Sequence, residues 1–472
     1  MSEVVAALER HARERGDEAA LHEAGRAISW SELRAAAATL AARFGALGAS
    51  ARVMVVARNG AGLASAILAA LAAEVELLGA APGTPAAVLG ELATQLGVKQ
   101  VFSEPGLGLA GVPLDFNASP AAPVRVAEPP LAGSGAILLT TSGTTGMPRI
   151  ARRSSRAVDF IAASSARALG LRTGDRSLLA IPLYHSYGLD QFVAAVIAGA
   201  TVELHAGFNP ASVRLALFTA GVTHLPAVPT MLDALARMAG EAEHPPRLRC
   251  VVSAGSVLPE RVARAFAEKF RISAGQVYGS SELGTVTATQ SGDPFGCVGR
   301  ALPGADLRIL DREAPDPEKP LAQGAEGLVA VASPSRFDCY VDAADSNGEF
   351  VLTGDLGRLD AQSRLWLTGR ASLLIDVGAV KVNPLEVEMV LMRHPGVREA
   401  VVLPLAFSAT ASRLRAVIVP EPGREPSPAE LRRFAREQLI DYKVPRAFEI
   451  RADVPRSPTG KILRGELLRD AR

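Results

Sequence analysis

Alternation between short apolar runs and helix-period segments is the feature that most narrows what this chain can fold into. RVMVVAR, from Arg52 to Arg58, reads as a buried strand ended by the turn signal Asn59-Gly60. Ahead of it, Ser29 and Glu32 form a capping-box pattern, and Leu33, Ala37, Leu40 and Phe44 follow on one helical face. A further helical pattern and a short strand around Lys99 to Phe102 continue the series. Strands interleaved with helices predict an α/β fold with doubly wound subdomains. The Pro/Ala/Gly-rich run from Gly111 to Gly135 reads as a connection between two such units.

The texture changes after about residue 370. NPLEVEMVLMRHPGV offers Asn383 as N-cap, Pro384 at the first helical position and a stop at Pro395-Gly396. Two strand-like runs, REAVVLP and RLRAVIVP, and a helix starting at Ser427-Pro428 follow. The pattern predicts a small α+β unit of about 100 residues, an ordinary domain size. With 472 residues the chain is too long for one ordinary domain.

Composition excludes several classes. Apolar residues make up 48% of the chain, too many for a disordered protein. Fifty basic residues against 49 acidic ones leave a charge of +1, so no clustered field favours nucleic acid or an anionic membrane. The three cysteines, Cys250, Cys297 and Cys339, form neither a disulfide framework nor a zinc pattern, which fits a cytoplasmic location. The charged, helix-like start is unlike a secretory signal. Leu63 to Gly83 is the most apolar stretch, but Glu74 and Glu76 interrupt it, so no membrane span is expected.

Chemistry concentrates first in AILLTTSGTTGMPRIARRSS. The strand-like run Ile137 to Leu139 feeds Thr140-Thr141-Ser142-Gly143-Thr144-Thr145-Gly146. Glycines let backbone N–H groups turn toward an anion, and the hydroxyls add donors around it. The Walker pattern is absent: Gly143 and Gly146 lie too close together, and no Lys-Ser follows. Nor does a Gly-x-Ser-x-Gly elbow or a His-Glu-x-x-His zinc motif occur.

TTSGTTGMPR resembles the phosphate-binding signature of the adenylate-forming superfamily: acyl-CoA synthetases, peptide-synthetase adenylation domains and beetle luciferases. Further segments match that superfamily's motifs in order. They are PLYHSYGL (Pro182 to Leu189), SAGSVLP (Ser253 to Pro259), YGSSE (Tyr278 to Glu282), TGDLGRLD (Thr353 to Asp360) with Gly369-Arg370, and PRSPTGKILR (Pro455 to Arg464). The resemblance spans roughly residues 28 to 468 and is closest in pattern to acyl- or aryl-CoA ligases.

The resemblance implies an ATP- and acyl-binding domain over 1–369, a hinge at 370–372 around Ser372, and a small mobile domain over 373–472. It implies activation of a carboxylic acid by ATP to an acyl-AMP, then thioester formation with coenzyme A. ATP would be held by Thr141, Ser142, Gly143, Thr144, Thr145 and Gly146; by Ala254, Gly255 and Ser256; and by Tyr278, Gly279, Ser280 and Ser281. Asp355 would accept the ribose hydroxyls and Arg370 would add charge-assisted contacts. Glu282 would bind magnesium (Mg²⁺), and Lys461 would be the adenylation lysine. His185, Tyr187, Gly255 and Gly279 would border the acyl substrate, with His185 orienting its carboxylate. Gly378 and Ala379 would lie on the loop that meets the thiol.

Taken singly, each residue has a plainer reading: Glu282 a helix-start carboxylate, Asp355 a turn aspartate, His185 a structural histidine. The ordered motifs favour the catalytic one. Some positions depart from the superfamily pattern. Arg149 replaces lysine, Ser281 replaces threonine, Ser372 replaces Asp or Lys, Asp376 replaces lysine and Ala379 replaces glycine. The last two bear on the thiol step and leave a carrier-protein phosphopantetheine as the alternative acceptor. A catalytically silent nucleotide-binding paralogue is the remote alternative, opposed by Lys461, Glu282 and Asp355 together. The segments expected to line the acyl pocket, 185–188, 254–256 and 278–286, are small or apolar, with no obvious buried Lys, Arg or Asp. That favours an aromatic or aliphatic monocarboxylate. A monomer or homodimer is expected.

Overall fold

The computed structural model describes residues 2–107, 111–114, 135–141, 149–341, 348–377, 380–406, 412–456 and 462–469. Packing divides the chain into two compact units, Met1–Asp306 with Ala332–Glu349, and Leu307–Val331 with Phe350–Arg472.

The first unit is built on two sheets. Parallel strands Arg52–Val56, Glu76–Ala80, Gln100–Ser103 and Ala136–Thr140 form the centre of a seven-stranded sheet. Ile150–Ser154 and Cys339–Tyr340 extend it in antiparallel fashion beyond Ala136–Thr140. The nine-stranded sheet has a parallel core running through Ala19–Glu23, Thr201–Leu204, Arg176–Leu179, His224–Ala227, Cys250–Ser253 and Gly275–Ser280. One apolar cluster joins both sheets: Val53, Val55 and Leu77 from one, Leu21, Leu179 and Val202 from the other. The helices Ala61–Ala72 and Ser186–Ala198 contribute to the same cluster and are buried over most of their length. A helix apolar all round belongs inside a core, which is why the Leu63 to Gly83 stretch reads as so hydrophobic. Its Glu76 is neutralised by Arg52 at 2.7 Å and Arg152 at 2.6 Å. Among the described residues no helix is long and apolar enough to cross a membrane.

Local signals formed as expected. Ser29 accepts from the Glu32 N–H at 3.2 Å, and the Glu32 carboxylate accepts from the Ser29 N–H at 2.7 Å. Asn59 differs from its reading as a turn residue. It is buried, donating to Ile181 O and accepting from Leu183 N, each at 2.7 Å. It therefore bolts the end of strand Arg52–Val56 to the segment that leads into His185.

The second unit carries a four-stranded sheet in the order Asp306–Leu310, Gly327–Ala332, Val351–Leu359, Leu365–Arg370. A hairpin, Ile375–Val377 with Val380–Val382, follows. A three-stranded sheet, Val397–Ala406, Ser412–Pro420 and Ala447–Ile450, packs with the helices Pro384–Leu391 and Pro428–Gln438. Asn383 and Ser427 cap those helices as expected. The first ends at Leu391, before the expected stop at Pro395-Gly396. The expected hinge at 370–372 falls within this unit.

Candidate functional site

The strands Ala136–Thr140 and Ile150–Ser154 pair with Thr140 opposite Ile150, and the Thr141 N–H donates to Arg149 O at 2.8 Å. Those bonds close the base of the hydroxyl-rich loop. Thr141 is buried there. Ser142, Gly143, Thr144, Thr145 and Gly146 lie outside the described residues.

Three other expected segments leave the carboxyl ends of parallel strands in the nine-stranded sheet. Residues 182–189 follow Arg176–Leu179, Ala254-Gly255-Ser256 follow Cys250–Ser253, and Ser281-Glu282 follow Gly275–Ser280. Ligands of open α/β sheets bind in that position, because there loops converge while the strands hold them rigid.

His185 is the N-cap of the helix Ser186–Ala198, whereas the sequence pattern around PLYHSYGL predicts a helix start near Gln191. Gly188 permits that early start, since a Cβ there would sit 2.1 Å from Pro182 O. The His185 ring lies against Tyr184 with centroids 4.8 Å apart. Its Nε2 is buried and has no hydrogen-bond partner among the described residues. Burial lowers the imidazole from its ordinary 6.5 to about 4. The ring is therefore neutral at physiological pH and can serve a ligand as donor or acceptor. Tyr187 turns inward, its hydroxyl donating to Val252 O at 3.2 Å.

A titration checks this reading. Unfolded, the imidazole protonates near 6.5, whereas folded it does so only near 4. Its contribution to stability is therefore full above 6.5 and is lost as pH falls toward 4. The His185 ring-proton resonance should stay constant from pH 8 to pH 5 (roughly three units in which an ordinary histidine titrates). A midpoint near 6.5 would contradict the burial.

The strands Gly275–Ser280 and Gly284–Ala288 form a hairpin whose register shifts between Tyr278 and Gly279. A Cβ on Gly279 would meet Gly284 O at 2.0 Å, so only glycine fits that crossing. Tyr278 is buried, and Ser280 precedes the turn that carries Ser281 and Glu282. Glu282 therefore sits in a hairpin turn, and its plainer reading as a helix-start carboxylate does not apply. Its Oε1 accepts from the Tyr340 hydroxyl at 2.9 Å. Among the described residues that hydroxyl is its one side-chain partner, and no cluster of three or more metal-ligating side chains occurs there. One open carboxylate suits magnesium, which keeps most of its water and takes few protein oxygens.

The structure adds a pair that the sequence reading missed. Arg153 is fully buried and donates to Asp190 at 2.7 Å, Ser186 Oγ at 2.6 Å, and the carbonyls of Ser280 and Ser281 at 3.0 Å each. Asp190 also accepts from the Thr285 N–H at 3.1 Å. This corrects the expectation of no buried Arg or Asp beside the acyl segments. One guanidinium ties the strand after the phosphate loop to the His185 helix and the YGSSE turn. The signal available was an arginine in a strand otherwise reading as buried.

In the second unit Asp355 and Arg370 are cross-strand partners, Nε to Oδ1 at 2.8 Å. Ser372 is exposed in a short 3₁₀ turn, Ala371–Leu373. Asp376 faces Lys381 across the hairpin, whose tip, Gly378 and Ala379, lies outside the described residues. Lys461 lies outside them too, but its flanks are pinned. Arg456 bridges Ile462, and Leu463 N donates to Pro455 O at 2.9 Å. Arg464 pairs with the buried Glu388 at 2.7 Å and donates to Val402 O at 3.0 Å.

Loops converging at the carboxyl ends of parallel strands, with an α+β unit following, define a nucleotide-binding α/β protein of two units. The family described as "AMP-binding enzyme" matches residues 8–341, and "AMP-binding enzyme C-terminal domain" matches 386–461. The chain is 33% identical over 343 residues to the 2-succinylbenzoate–CoA ligase of Geobacillus kaustophilus, covering 71% of this chain and 69% of that one. It is 32% identical over 346 residues to the fatty acid–[acyl-carrier-protein] ligase ScoC of Streptomyces coeruleorubidus, covering 70% and 66%. The o-succinylbenzoate coenzyme A synthetase of Bacillus subtilis, solved with ATP and magnesium, superposes with a TM-score of 0.85 at 25% identity, covering 98% and 99%. This chain belongs to the AMP-binding, adenylate-forming enzyme family, among the AMP-forming acid–CoA ligases.

Proposed function

We propose that this chain joins an aromatic or aliphatic monocarboxylate to coenzyme A through an acyl-AMP. In the first step a carboxylate oxygen attacks the α-phosphorus of ATP and pyrophosphate leaves. In the second a thiol sulfur attacks the acyl carbonyl, loses its proton, and AMP leaves. Thr141 and the loop after it bind phosphate, Tyr278 lies against adenine, Asp355 and Arg370 hold the ribose, and Lys461 stabilises the charge that develops during adenylation. Magnesium bound at Glu282 would offset phosphate charge. His185 orients the carboxylate. The segment after Ser372 turns to exchange Lys461 for the 373–382 loop.

One observation supports the substrate class. Arg153, the buried cation beside the acyl segments, is already neutralised by Asp190. Four of its five N–H groups' worth of bonding goes to protein oxygens, so it offers no counter-charge to a second acid group. An apolar body with one carboxylate fits best. A carrier-protein acceptor is the second reading, supported by the similarity to an acyl-carrier-protein ligase and by Asp376 and Ala379.

The test is pyrophosphate release with a panel of acids, followed by transfer to coenzyme A or to a phosphopantetheinylated carrier. Monocarboxylates with apolar bodies should exceed dicarboxylates and free amino acids by at least about tenfold, because a second charge would be buried without a partner. Equal rates with amino acids would overturn the substrate class. Transfer to the carrier alone would move the assignment to the second reading.

A further inference from the structure

We infer that Tyr340 is a positioning residue for magnesium–nucleotide binding, its hydroxyl fixing the Glu282 carboxylate and its ring seating the Arg149 guanidinium. The inference rests on the ligase reading above and concerns a side chain to which no motif role is attached.

Tyr340 is held from both sides of the site. It lies in the edge strand Cys339–Tyr340, opposite Ala151 of Ile150–Ser154. Asp338 N donates to Arg152 O at 2.8 Å, and Val341 N donates to Ile150 O at 2.9 Å. Three residues before the tyrosine, Phe337 N donates to Glu282 O at 2.7 Å. The segment 337–341 thus pins the backbone of Glu282 and the exit of the phosphate loop at once. The Phe337 ring braces Tyr340 edge-on, with centroids 4.7 Å apart.

From that anchorage the tyrosine reaches the expected metal carboxylate, Glu282, and Arg149, which follows the expected phosphate loop. Its hydroxyl donates to Glu282 Oε1 at 2.9 Å and leaves Oε2 without a donor among the described residues. A carboxylate fixed through one oxygen presents the other to a metal with little rotational freedom to lose. The Arg149 Cζ lies 3.4 Å from the centroid of the Tyr340 ring. At that separation the planar guanidinium stacks on the aromatic face, an arrangement a compact, strongly hydrated ammonium does not reproduce. This gives a physical reason for arginine where the family usually has lysine. The backbone carbonyl of Arg149 accepts the Thr141 N–H, so the ring packs on a residue that closes the base of the phosphate loop. One aromatic side chain therefore sets the spacing between the loop and the metal carboxylate, which must act on the same triphosphate.

The test is equilibrium binding of α,β-methylene-ATP by calorimetry, titrated with Mg²⁺ and repeated in EDTA. Tyr340→Phe keeps the ring and removes the hydroxyl. It should raise the Mg²⁺ concentration for half-maximal binding by about tenfold, the usual cost of losing a partner behind a metal ligand. Its binding in EDTA should match the parent. Tyr340→Leu removes the ring as well and should also weaken binding in EDTA by about threefold, a cation–π contact's worth. Where the leucine variant fails to fold, Arg149→Lys replaces it and should show the same loss in EDTA. A Tyr340→Phe protein that titrates like the parent overturns the role of the hydroxyl. Equal EDTA affinities for the parent and the ring variant overturn the role of the stack. A parent chain with no Mg²⁺-dependent binding would instead overturn the ligase reading, so the two failures are distinguishable.

Discussion

Lys461→Ala should lower acyl-adenylate formation by roughly 10²–10³-fold, because one preorganised charge contact in a transition state contributes about 3–4 kcal/mol. Preorganisation is the reason for so large an effect from one cation. The described residues on either side of the segment that carries Lys461 are joined by the Arg456–Ile462 bridge. Past the turn, Arg464 is locked to Glu388, whose other oxygen accepts the Val402 N–H at 2.6 Å. The loss should appear in ATP–pyrophosphate exchange, while thioester formation from supplied acyl-adenylate continues near the parent rate. Normal exchange in the variant would remove Lys461 from the adenylation step.

The second large effect is expected at Arg153. Removing one partner of a fully buried ion pair leaves the other charge uncompensated, at a cost of about 3–5 kcal/mol. Arg153→Met should therefore lower the thermal unfolding midpoint sharply, since among the described residues Asp190 has only the Thr285 contacts left. Arg153→Met with Asp190→Leu should recover most of that loss, because an apolar pair of similar volume fills the site without a stranded charge. Activity should not return with it. Arg153 also holds the Ser280 and Ser281 carbonyls and the Ser186 hydroxyl, which no apolar side chain can do. A double variant with parent-like stability and parent-like pyrophosphate exchange would make the pair purely structural.

Most of what the sequence made legible about the site concerned which segments would take part. The expected phosphate loop, PLYHSYGL, SAGSVLP and YGSSE are all at strand ends, the last three at the carboxyl ends of one sheet. Less legible were the bonds that hold those segments in place. His185 was singled out, but its helix begins at Ser186, ahead of the expected start near Gln191, because Gly188 permits a backbone approach that no propensity records. Glu282 had a helix-start reading that failed because Gly279 and the shifted register turn the chain back as a hairpin. Asn59-Gly60 is a turn dipeptide by composition, and Asn59 became a buried clamp once Ile181 and Leu183 supplied its partners.

The division has a physical cause. Interactions completed within a few residues are written into the local sequence, so Ser29 with Glu32, Asn383 with Leu385 and Ser427 with Glu430 formed as their spacing predicts. The same holds for the doubly wound alternation, since apolar period follows from which face an element buries. Arg153 with Asp190, Tyr340 with Glu282 and Asn59 with Ile181 are separated by 37, 58 and 122 residues. Nothing local distinguishes an arginine that will be buried against a carboxylate from one that will be solvated, because burial is set by the elements packed around it. The sequence by itself determined the elements, their order and the family chemistry. Only the tertiary structure decided which polar side chains, desolvated together, hold those elements in register at the site.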